Sequence, residues 1–224
     1  MYMKHIYIFI AVILLLSACA TSNKKDADEF IVNMNSPQIP IGEIELQFES
    51  FMGIGGLRKS TAAVLYFPRE DAVCLQYRQD YTTYHQFWDR SGRQAFLSAL
   101  QQYNKDFDER NLNRTQRRSL RNYGTVKGFL VWQQFAFAVQ ARGNMDVELG
   151  FAFRERAPYF TINQRVAEYN ETISESDIKT SIIVTMFYTR AQAAELAALF
   201  EQHFLNDLNV NIAPVNLIVG RDDY

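Results

Sequence analysis

The densest run of chemistry-bearing side chains in this sequence is cationic. Arg110, Arg114, Arg117, Arg118 and Arg121 fall at i, i+4, i+7, i+8 and i+11, a spacing that puts side chains on one face of a helix. Guanidinium forks suit phosphate and carboxylate groups, so the stripe is a candidate anion contact; a solvated face paired with acids elsewhere would use the same residues. Gly53-Ile54-Gly55-Gly56-Leu57-Arg58-Lys59-Ser60 approaches a phosphate loop. Arg58 stands where that motif needs its second glycine, and the run 61–67 that follows is strand-like, so no helix N-terminus would face a phosphate. A glycine loop joining two strands is the plain reading, and an anion nest the other. Apart from His5 the histidines are His85 and His203, neither in a His-x-x-x-His or Cys-x-x-Cys pattern, so no metal and no cofactor is expected. Glu43, Glu45 and Glu49 line one face of a strand and select no catalytic pair, and no Gly-x-Ser-x-Gly elbow is present. Cys74, in Ala72-Val73-Cys74-Leu75, reads as a buried, inert thiol.

The amino terminus carries a different kind of chemistry. Lys4 precedes an unbroken apolar run, 6–16, too short for a bilayer core that needs ~20 residues but suited to a signal-peptide core. It ends in Leu16-Ser17-Ala18-Cys19. This segment resembles the lipobox of bacterial lipoproteins. The resemblance implies a diacylglycerol on the Cys19 thiol, cleavage before that residue, and acylation of the new amino terminus with chains such as palmitate. Two or more chains anchor stably, whereas one is marginal. Ala20 is not the Asp that retains some lipoproteins in the inner membrane, so the outer membrane is favoured over the inner.

The elements that would position these groups are mostly strands. Ile44, Leu46 and Phe48 alternate with polar neighbours, as do Val73, Leu75 and Tyr77, then Val147, Leu149, Phe151 and Phe153, then Phe160, Ile162 and Gln164. Period two means one buried face. Residues 125–141 are long for one strand and predict a bulge, bend or break, and Arg142-Gly143-Asn144 reads as a hairpin loop. Two capping boxes, Ser91 with Gln94 and Thr189 with Gln192, open helices with apolar sides at Phe96, Leu100, Tyr103 and Phe107, and at Leu196, Leu199, Phe200 and Phe204.

At 224 residues with a net charge of −2, the chain suits a single domain and is not a strongly nucleic-acid-seeking protein. The expected organisation is a lipoprotein signal peptide at 1–18, a lipidated flexible tether at 19–37 and a single domain at 38–224. The expected fold is α+β, a largely antiparallel sheet with two principal helices packed on it. Segments 41–110 and 123–208 share an outline of strands followed by a capped helix, which either duplication or convergence would produce. The expected function is a membrane-anchored cell-envelope lipoprotein acting as a non-catalytic binding or assembly module. Its expected partners are the membrane through the anchor, anionic lipid, lipopolysaccharide or cell-wall groups through the arginines, and an envelope protein, with no nucleic acid. A periplasmic hydrolase acting on an envelope polymer, or a carrier of an apolar ligand, are the alternatives.

Overall fold

Strands with one apolar face must turn that face away from water, and here they do so by curling into a ring. The computed structural model describes residues 30–49, 56–113, 118–134, 140–169 and 180–212. It contains β1 (Ile39–Glu49), β2 (Leu57–Phe67), β3 (Ala72–Gln79), β4 (Thr82–Trp88), α1 (Arg90–Asp108), β5 (Arg118–Gln134), β6 (Ala141–Arg154), β7 (Ala157–Gln164), β8 (Glu168–Tyr169), β9 (Val184–Tyr188), α2 (Arg190–Phe200) and α3 (Gln202–Ile212). All pairings are antiparallel, in the order β5-β4-β3-β2-β1-β9-β7-β6, and β6 pairs back to β5. The result is a closed eight-stranded antiparallel barrel with three short helices. The two-residue β8 adds to β6 beyond the end of β7.

This corrects the expected α+β sheet with two principal helices laid on it. Alternation identifies the buried face of each strand but is the same for an open sheet and a closed one. Closure depends on β5, long enough to pair with β4 along one edge and β6 along the other. A register shift between Ser119 and Gly124 bends it, as a bulge does at a barrel corner. Of the stretch 125–141, residues 135–139 lie outside the described residues; β5 reaches Gln134, and Arg142-Gly143-Asn144 is strand rather than hairpin loop. The chain runs as two meanders, β1 to β4 and β5 to β9, each followed by a helix.

The lumen is one hydrophobic cluster, and the helices plug one mouth of it. Phe96 of α1 meets Phe160 of β7 at 5.5 Å and Phe200 of α2 at 5.0 Å, ring centre to ring centre, and Trp88 lies 5.5 Å from Phe200. The N-cap of α1 is Asp89, which accepts from Gly92 N at 2.7 Å, rather than Ser91. At α2 the Thr189–Gln192 capping box forms. One position shows how tightly the wall is built. A Cβ on Gly150 would fall 2.0 Å from the Ser119 carbonyl oxygen, so only glycine lets the bent start of β5 cross there.

A second, smaller cluster lies outside the barrel. Phe67, Ala72, Cys74, Phe87, Phe129 and Val131 project from β2 to β5, and Val32 is buried on them with Phe30 and Met34 beside it. Ser36 Oγ donates to Glu70. The segment from Phe30 to Ser36 is therefore a strap on the outer wall, at the end of the stretch 19–37 read as a tether, of which 19–29 lie outside the described residues. Its polar composition before residue 30 hides the apolar Phe30-x-Val32-x-Met34 alternation that docks.

Candidate functional site

Alternation along β3, β4, β5 and β7 sends a particular set of side chains into the half of the lumen away from the helices. On β4, His85 and Phe87 face outward, so Tyr84, Gln86 and Trp88 face inward. Tyr77 pairs in register with Tyr84, Tyr84 with Trp132, and Trp132 with Ala141, giving an aromatic row along the inner wall. Tyr77 and Tyr84 stack at 5.3 Å, and Phe48 approaches Tyr77 at 5.6 Å. Burial pushes the Tyr84 phenol up to about 12 and raises Tyr77 and Tyr188 as well, so all three keep their protons at neutral pH.

Polar atoms are set among these rings. Gln86 and Gln164 are both 0% exposed and Trp132 is 1% exposed. Tyr77 donates to Gln164 Oε1 at 2.6 Å, and the Trp88 indole to Gln86 Oε1 at 3.2 Å. An indole N–H can only donate, which fixes the orientation of the Gln86 amide. Among the described residues, Gln86 Nε2, Gln164 Nε2 and Trp132 Nε1 have no acceptor. A buried donor left unmet costs about 1–3 kcal/mol, so three in one lumen call for an explanation. The signal in the sequence is a glutamine in phase with inward apolar positions, Tyr84-x-Gln86-x-Trp88 and Phe160-x-Ile162-x-Gln164. Sequence reasoning placed Gln164 on that face but drew no site from it, and missed Gln86.

Two concavities stand out among the described residues, both outside the lumen. A polar cleft of about 290 Å³ on the outer wall is lined by Lys127, Asp146, Glu148 and Arg165. Its charges oppose each other: Lys127 lies 2.7 Å from Asp146, and Arg165 3.7 Å from Glu148. The buried Glu148 also accepts from Asn163 at 2.6 Å. An apolar groove of about 790 Å³ separates α1 from α2 and α3, over Leu97, Leu100, Ala194, Ala197 and Phe204. Sequence reasoning also overlooked Arg93, which is 1% exposed. It donates to Asp71 Oδ1 at 2.8 Å and to Gln202 Oε1 at 2.7 Å, locking α1 to the β2–β3 turn and to α3.

The arginine series does not form the helical face its spacing predicts. α1 ends at Asp108, Arg110 sits in the turn after it with φ 59°, and Arg118 and Arg121 belong to β5. Arg114 and Arg117 lie outside the described residues, as does Cys19. The i+4 and i+7 spacing is real, but a helix–strand junction interrupts it. Arg58 pairs with Asp80 at 3.0 Å. Glu43 and Glu45 are exposed, and Glu49 pairs with Arg154. His203 is exposed. His85 is half-buried, which lowers its pKa. Cys74 is buried and its thiol pKa is raised by burial, so it has little thiolate with which to react.

Neither a curated protein nor a solved structure matches this chain. A family model described as "Uncharacterised Treponema protein" matches residues 21–207. That match takes in every strand of the barrel together with α1 and α2, and the chain belongs to this bacterial family.

Proposed function

We propose that the protein is a lipid-anchored lipoprotein of the cell envelope whose barrel is a non-catalytic binding module. The observation that carries this reading is the coincidence of Lys4, the apolar run 6–16 and Leu16-Ser17-Ala18-Cys19 at the amino terminus. The strap at 30–36, seated on the barrel wall, supports it, because an anchor is useful only when firmly joined to the domain it holds. Outer-membrane placement follows from Ala20 as a weaker part of the same proposal.

The test is metabolic labelling with palmitate in a bacterial host. Wild type should incorporate label and fractionate with membranes, and Cys19→Ser should do neither and should accumulate as the uncleaved precursor. A Cys19→Ser protein that still matures and labels would sink the reading.

A second reading concerns what the module binds. The closed barrel with an aromatic lumen favours a carrier of a small apolar ligand, since eight strands enclose a space that either side chains or one small ligand can fill.

A further inference from the structure

We infer that the lumen half away from the helices is a binding site for one small apolar molecule bearing a neutral carbonyl group. This deepens the carrier reading and does not depend on the lipid anchor. Three features of the wall lead to it.

The first is the sign of the polar atoms. Gln86 Nε2 and Trp132 Nε1 lack an acceptor among the described residues, and both are fixed as N–H donors, Gln86 by the Trp88 indole; the Gln164 amide also has one unmet atom. A set of orphans of one kind asks for a guest that accepts. Gln86 and Trp132 stand on neighbouring strands one step out of register, since Gln86 pairs with Leu130 and Trp132 with Tyr84. Such diagonal neighbours lie within reach of long side chains. Gln164 reaches in from β7 and is held by Tyr77.

The second feature is charge. Among the described residues Arg93 is the one buried cation, and it is committed to Asp71 and Gln202 at the plugged mouth. A carboxylate or phosphate would enter the lumen without a counter-charge, which is strongly unfavourable in an apolar interior. A ketone, ester or amide oxygen carries two lone pairs and no net charge, and it matches neutral indole and amide donors.

The third feature is bulk. On β6 the residues paired with Trp132 and Leu130 are Ala141 and Gly143, so this wall adds nothing beyond a Cβ beside the row Tyr77, Tyr84 and Trp132. Aromatic faces for the apolar body, donors for one acceptor and a wall of minimal side chains together describe a site that fixes orientation through the carbonyl.

The experiment uses the full chain in detergent micelles and reads its tryptophan emission. 2-Heptanone is titrated against its methylene isostere, 2-methyl-1-heptene, which has the same shape without the acceptor, and against hexanoate. The ketone is expected to saturate the emission change at about one-tenth the concentration the isostere needs, the ratio expected of roughly one net hydrogen bond. Hexanoate should be weaker than the ketone. The Gln86→Leu/Gln164→Leu double variant keeps Trp132 as reporter and should shrink the ketone preference to less than about threefold while still melting cooperatively; where it fails to fold, Gln86→Leu alone carries the same comparison. Equal saturation by ketone and isostere, preference for hexanoate, or an undiminished preference in the folded variant would overturn the proposal. So would the absence of any saturable change with the ketone, which would leave water as what meets these donors.

Discussion

At the residue scale, the strongest dependence is expected at Arg93. Its guanidinium is buried and shared between Asp71 and Gln202, so truncation removes the donor that ties the β2–β3 turn and α3 to α1. Only the Arg93 side of the pair is buried, since the Asp71 side chain is 36% exposed, so the loss is that of a charge-assisted hydrogen-bond cluster, about 2–3 kcal/mol, and Arg93→Ala should lower the urea midpoint accordingly; a loss under ~1 kcal/mol would show the cluster to be solvated. Gly150→Ala should be comparably harmful despite adding one methyl, because the new Cβ meets backbone that cannot swing aside. His85 gives a pH signature. Burial lowers its folded pKa below 6.5, so below that pH the unfolded chain binds the extra proton first and stability rises with pH across the window. The urea midpoint of wild type should therefore fall between pH 7 and pH 5 by more than that of His85→Gln, and equal falls would refute the assignment. Single residues were unevenly legible in advance. The inertness of Cys74 could be read from its neighbours, whereas the partners of Arg93 lie in a turn and in a helix far along the chain, which no local pattern reveals.

At the element scale, the helices and strands follow their patterns closely because each signal is local. The Thr189 cap, with Gln192 reaching back, was visible as four consecutive residues, and Thr189→Ala should destabilise by about 1 kcal/mol, read from a thermal melt. The Asp89 cap was missed because Ser91 and Gln94 offered a competing box two residues later. The helical face expected of the arginine series does not form, for a related reason. Helical spacing has meaning only within one helix, and nothing in residues 109–117 announced that the chain would leave α1 and begin β5. The strap makes the sharpest prediction at this scale. Val32 is 1% exposed among Phe87, Phe129 and Val131, so Val32→Asp should cost more than about 2 kcal/mol. Limited proteolysis of wild type should spare the strap from Phe30 to Ser36. Rapid cleavage between Val32 and Ser36 would mean the strap does not hold.

At the scale of the whole molecule, closure is the property that alternation could not report. It needs β5 to serve two neighbours and β1 to meet β9 over only Gln47 with Phe187 and Phe48 with Met186, contacts between residues far apart in the chain. The free length of β1 beyond those pairs is shielded by α2, with Leu199 lying 3.0 Å from a Cβ placed on Gly42. An antiparallel ring leaves little unpaired backbone on which a foreign strand could add. The strap sets a limit of another kind. Cys19 and Phe30 are eleven residues apart, and a chain extends at most about 3.6 Å per residue. With Cys19 in the bilayer, the point where the strap joins the wall can rise no more than about 40 Å above the lipid surface. The anchor proposed at Cys19 would put the barrel on a short leash. It would sweep only a shallow layer next to the membrane, and bridging to a structure beyond that layer would require the other partner to come to it.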